Sequence, residues 1–119
     1  MTVNIDNIEE GLVSELKISA EEAKVFHSIV ENGRMDAKKI CNLLGCSVQE
    51  VKAITESLIS NGMIIDITAT EYESLHPMFA ITNRYKQRCQ EDNIAFKKNL
   101  KIDAIGKLLE RPYDHARTK

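Results

Sequence analysis

Apolar residues recur at helical spacing along most of this chain, with one interruption in which β-branched residues crowd together. Ile5, Ile8, Leu12, Val13 and Leu16 stand at i, i+3, i+7, i+8 and i+11, which predicts an amphipathic helix over residues 6–16. Gly11 lies inside it and costs about 1 kcal/mol relative to alanine. Ser19 and Glu22 have the S-x-x-E spacing of a capping box. They open a helix over residues 20–32 that carries Ala23, Phe26, Ile29 and Val30 toward a core before Gly33 ends it. Asp36 caps a shorter helix with Ile40, Leu43 and Leu44 on one side, and Gly45 supplies the left-handed residue that stops it. Ser47 and Glu50 repeat the box and open a further helix with Val51, Ile54 and Leu58 inward, closed by Asn61 and Gly62.

The interruption follows. Residues 63–68 are rich in β-branched side chains and residues 72–75 read as a second short strand, joined by a link at 69–71 without the Asn-Gly or Gly-Gly of a tight hairpin. Pro77 then opens a helix reaching about Glu91, with Met78, Ile81, Tyr85 and Cys89 on a narrow stripe. Such a stripe packs back on the preceding domain or pairs with the same helix of a second subunit. After Asn93 a further amphipathic segment carries Phe96, Leu100, Ile105, Leu108 and Leu109, with Pro112 expected to stop it and the tail at 111–119 expected to fray. A short helix, a glycine turn, a longer capped helix and two strands make a helix-turn-helix with a wing, whose second helix is the usual reader of a DNA groove. The fold class expected is mostly α with a small β-wing: a winged helix-turn-helix over residues 1–77 and a C-terminal helical extension over 78–119.

Charge qualifies this picture. Residues 1–77 hold six Lys and Arg against thirteen Asp and Glu, net −7, whereas residues 78–119 hold ten against five, net +5. A nucleic-acid binder needs a positive footprint, because neutralised phosphates supply most non-specific affinity. In the basic third, Arg84, Lys86, Arg88, Lys97, Lys98 and Lys101 either form a phosphate-contacting patch or solvate the outer face of packed helices. No apolar run is long enough to span a bilayer and the start has no signal-peptide pattern, so a cytoplasmic protein is expected. The three cysteines, at 41, 46 and 89, form no C-x-x-C pair and read as reduced thiols, with Cys41 and Cys89 on or near packed faces. Phosphate-loop, dinucleotide, zinc-protease and nucleophile-elbow motifs are absent and the histidines at 27, 76 and 115 are scattered. His27 reads as a satisfied helix residue, and neither an enzyme, a metal site nor a cofactor is expected.

Residues 16–64 resemble, without a gap, the N-terminal winged-helix domain of the archaeal TrmB-like transcriptional regulators. The resemblance rests on Ser19, Glu22, Ala23, Lys24, Val25 and Phe26, on Gly33, Ala37, Ile40 and Gly45, and on Val51, Ser57, Leu58 and Gly62, with Tyr72 and Pro77 at the second wing strand and the next helix. It implies sequence-specific binding of double-stranded DNA and a homodimer; the family's sugar-binding domain has no counterpart expected here. Where the family commonly places cations early in the reading helix, this chain has Val48, Gln49 and Glu50, with Lys52 the helix's one cation. The candidate DNA contacts are Gln49 for an adenine edge, Ser47 and Thr55 for phosphate or base, Lys38, Lys39 and Lys52 for the backbone, and Thr68 and Thr70 in the wing. Glu50 is assigned to its cap rather than to a cytosine. The candidate dimerisation residues are Met78, Ile81, Tyr85 and Cys89. The alternative is a winged-helix module whose acidic front meets a protein partner.

Overall fold

Side chains that reach back to the backbone fix where the helices begin. The structure, a computed structural model, describes residues 7–118, so Ile5 and Asp6 lie outside the described residues. Helix α1 (Ile8–Leu16) is capped by Asn7, whose side-chain oxygen accepts from the Glu10 amide at 3.2 Å. Helix α2 (Ala20–Asn32) has a complete box: Ser19 Oγ accepts from the Glu22 amide at 3.1 Å and Glu22 Oε1 accepts from the Ser19 amide at 2.8 Å. Asp36 caps α3 (Ala37–Leu44) through the Lys39 amide at 2.8 Å. Ser47 caps α4 (Val48–Ser60) through the Glu50 amide at 3.2 Å, but Glu50 takes the Ser47 hydroxyl rather than its amide, so this box is half made.

Three strands form an antiparallel sheet in the order β1-β3-β2: β1 (Met35–Asp36), β2 (Ile64–Asp66) and β3 (Glu71–Ser74). The wing hairpin pairs Ile64 with Ser74, Ile65 with Glu73 and Asp66 with Tyr72. The sequence pattern did not predict β1, because two residues carry no period; Met35 and Asp36 extend only because Tyr72 and Glu71 lie opposite them. One apolar core holds Leu12, Leu16, Phe26, Ile29, Ile40, Val51, Leu58, Met63 and Ile64 together with Ile81, Ile105 and Leu109.

The C-terminal third departs from expectation in two ways. Helix α5 (Pro77–Glu91) buries Ile81, Tyr85 and Cys89 in the chain's own core, so the stripe expected to pair two subunits is spent internally. Met78 lies in the crossing of α5 with α6 (Leu100–Arg117), where a Cβ on Gly106 would sit 2.1 Å from its sulfur. Pro112 does not stop α6, which runs through it to Arg117, and the tail expected to fray is docked. The Arg117 guanidinium donates to Val30 O at 3.0 Å and Ile29 O at 3.3 Å and pairs with Glu73, while Tyr113 stacks edge-on with His76 at 5.2 Å. These contacts hold the turns beyond the proline against the rest of the molecule.

The same device closes α1, which has no basic residue in its last turn. Arg84 of α5 donates to Leu16 O at 2.9 Å and Lys17 O at 3.2 Å, and Arg88 to Glu15 O at 2.9 Å. Terminal carbonyls and the negative end of the helix dipole are met by guanidinium from another helix. Lys17, left-handed at φ 53°, bonds Asp92 at 2.9 Å. That hydrogen bond, with the charges of Lys17 and Arg88, holds the Asp92 carboxyl below its usual range.

Candidate nucleic-acid interface

The corner between α3 and α4 is built on Cys41, whose carbonyl accepts from Gly45 N at 2.8 Å and Cys46 N at 3.3 Å. Gly45 adopts φ 67°, open to glycine without strain. The corner sends α4 outward over a floor of fully buried Val51, Thr55 and Leu58. Ser57 donates to Glu22, so the carboxylate that completes the α2 box also ties α4 to α2. What remains in solvent is a row on the far side: Val48, Gln49, Lys52, Ala53 and Glu56 are all exposed.

The predicted contacts separate into two groups. Lys38, Lys39, Gln49, Lys52 and Thr70 are exposed along this front, and the structure brings Lys38 and Thr70 together with Val48 around one cleft. Ser47 is exposed but its hydroxyl is engaged with Glu50. Thr55 is withdrawn altogether: it is fully buried, and its hydroxyl donates to Val51 O at 3.0 Å and Lys52 O at 3.1 Å. Four residues after Val51 and three before Leu58, its position falls on the inward face, which the helical period alone would have indicated. Thr68 turns into the wing, where its oxygen accepts from the amides of Thr70 at 3.2 Å and Glu71 at 3.1 Å. Arg84 and Arg88 leave the proposed basic patch, since they cap α1. Lys98 and Lys101 stand 3.9 Å and 3.8 Å from Asp103 and Glu15.

A cation that sequence reasoning missed is Arg34, exposed just before β1 and without an ion-pair partner among the described residues. With Lys39, Asn32, Asn42, Met35 and Leu43 it lines a depression of about 480 Å³ beside α3. Its signal was present: a lone cation between a helix-ending glycine and the helix-turn-helix. The cleft that joins α3, α4 and the wing measures about 270 Å³ and is lined by Asp36, Ala37, Lys38, Val48 and Thr70. Thr70 also accepts the Ala37 amide through its carbonyl at 2.8 Å, which fixes the wing against the start of α3.

A helix-turn-helix capped at both helices, with its second helix exposed and a three-stranded wing beside it, matches a known family. Residues 12–86 fit the model of the sugar-specific transcriptional regulator TrmB. The chain belongs to the TrmB family. The match begins in α1 and ends within α5, wider than the stretch that carries the sequence resemblance, and leaves α6 outside. TrmB proteins are transcriptional regulators, not enzymes, and the TrmB winged helix is a DNA-binding domain. No curated protein and no solved structure matches the chain.

The remaining chemistry is quiet. His27 is bracketed by Glu9 at 2.9 Å and Glu31 at 3.3 Å, and no group of His, Cys, Asp and Glu able to hold a metal occurs among the described residues. Partial burial, with Glu50, Cys41 and Glu21 nearby, pushes the Cys46 thiol up, so it stays protonated at neutral pH. No described helix is long and apolar enough to cross a membrane.

Proposed function

We propose that this protein regulates transcription by seating the first turns of α4 in the major groove of double-stranded DNA, with the wing and the start of α3 on the flanking backbone. The observation that carries this is the unspent outer row of α4. Gln49 is exposed where an amide can pair with adenine N6 and N7, and Lys52 stands one turn away for a phosphate. Lys38, Lys39 and Arg34 extend the cationic border, and Thr70 faces it from the wing. With so few cations per chain the protein works as a homodimer, which doubles the phosphate contacts and sets two reading helices one DNA turn apart. Its pairing surface is the outward side of α5 and α6, where Phe79, Leu100 and Leu108 are exposed, because Ile81, Tyr85 and Cys89 are buried within the chain.

The test is a titration of labelled duplex DNA by fluorescence anisotropy over a salt series. Affinity falls linearly on logarithmic axes as salt rises, and Lys52→Ala lowers the magnitude of the slope by about 1. A protein with no salt-dependent affinity for any duplex at low ionic strength overturns the reading. The second reading, a module that docks on a partner in the transcription machinery, is favoured by Glu50 and Glu56, both exposed on α4. There, Gln49→Ala and Lys52→Glu leave recovery of the partner unchanged.

A further inference from the structure

We propose that Val48, with the cleft beside it, recognises the C5-methyl groups of thymines, so that the DNA site is biased to A·T pairs; this rests on the DNA-reading assignment of α4 above. Val48 is the first residue of α4 and is 59% exposed, among the most exposed apolar side chains of the molecule. An apolar β-branched residue there has no helix-forming advantage and no packing role to explain it. It fronts the cleft of about 270 Å³ whose other walls are Asp36, Ala37, Lys38 and Thr70.

The polar groups of that cleft are arranged for a base edge rather than for a free polar ligand. The Asp36 carboxylate is consumed by the cap of α3, accepting the Lys39 amide at 2.8 Å. The Lys38 ammonium has no ion-pair partner among the described residues and stands on the rim, where a phosphate passes. The interior is mainly hydrocarbon from Ala37 and Val48. In the major groove only thymine presents an apolar group, its methyl; the other base edges present donors and acceptors. Gln49, the next residue along the first turn, offers the amide that suits adenine, so neighbouring side chains address the two kinds of base in an A·T step. Ala53, exposed one turn after Gln49, adds a small apolar contact beside that amide.

The experiment titrates the full chain against four 20-base-pair duplexes at one low salt concentration. They are an alternating A·T duplex, the same duplex with every thymine replaced by uracil, a G·C duplex, and that G·C duplex with 5-methylcytosine. Uracil lacks only the methyl, so the expected loss is about fourfold for each contacted methyl, the worth of one buried CH2. Methylating cytosine is expected to recover affinity, and Val48→Ala to reduce both differences. Equal affinity for the thymine and uracil duplexes overturns this inference and leaves the DNA-binding function standing. Absence of salt-dependent binding to all four overturns both.

Discussion

Arginine side chains in this molecule serve the backbone before they serve any ligand. Arg84 is 8% exposed and bonds two terminal carbonyls of α1, and Arg117 does the same for α2 while pairing with Glu73 across the sheet. Both positions are basic residues in a basic third, indistinguishable in sequence from the solvated lysines around them. Removing either guanidinium takes away a donor to a helix-end carbonyl, Leu16 O in one case and Val30 O in the other, at a cost of about 1–3 kcal/mol. Arg84→Met and Arg117→Met, which keep the apolar stem, are each expected to lower urea-unfolding stability by about 2 kcal/mol, whereas Lys97→Met stays within about 0.5 kcal/mol. If the arginine variants unfold at the same urea concentration as the parent, they are surface charges after all.

At the scale of the element, the α5–α6 hairpin depends on the absence of one side chain. Gly106 sits in the middle of α6, where glycine costs about 1 kcal/mol relative to alanine, and the compensation is the close approach of Met78. Gly106→Val forces the thioether aside in a packed crossing, and overpacking of this kind costs about 1–3 kcal/mol. Met78→Ala is expected to relieve part of that loss in the double variant, so the two changes are non-additive in an unfolding cycle. Strict additivity would mean that the crossing is loose enough to absorb the valine. The same hairpin explains the survival of Pro112 inside a helix: the turns beyond it are held by Tyr113, Ala116 and Arg117 against His76, Gly33 and the end of α2.

At the scale of the whole molecule, apolar residues are spent unequally. The stripe of Met78, Ile81, Tyr85 and Cys89 closes the core, and the exposed apolar surface of the C-terminal third is Phe79, Ile94, Phe96, Leu100 and Leu108. Leu100, Ala104 and Leu108 stand at i, i+4 and i+8, so α6 is apolar on an outer as well as an inner side, which a helix alone in water does not need. Sedimentation equilibrium of the full chain is expected to give a dimer that Leu100→Asn with Leu108→Asn converts to monomer. The same pair of changes should leave the circular dichroism spectrum intact. A wild-type monomer at tens of micromolar would remove the homodimer from the proposed function.

Local chemistry was legible wherever a side chain acts on its own neighbours. Ser19 and Glu22, Asp36, Ser47, Gly45 and the periods around Phe26, Ile40 and Leu58 specify caps, stops and inward faces within a few residues, and from these the helix-turn-helix and its wing were read. What lay beyond that reach was settled by packing. Two residues of β1 become a strand only beside Tyr72, Pro112 is carried through by contacts with the ends of α2, and a stripe at helical spacing does not reveal whether its partner is the same chain or another. Nor does the sequence distinguish a guanidinium that caps a distant helix from one that awaits a phosphate, because that depends on which carbonyl end the fold brings within about 3 Å.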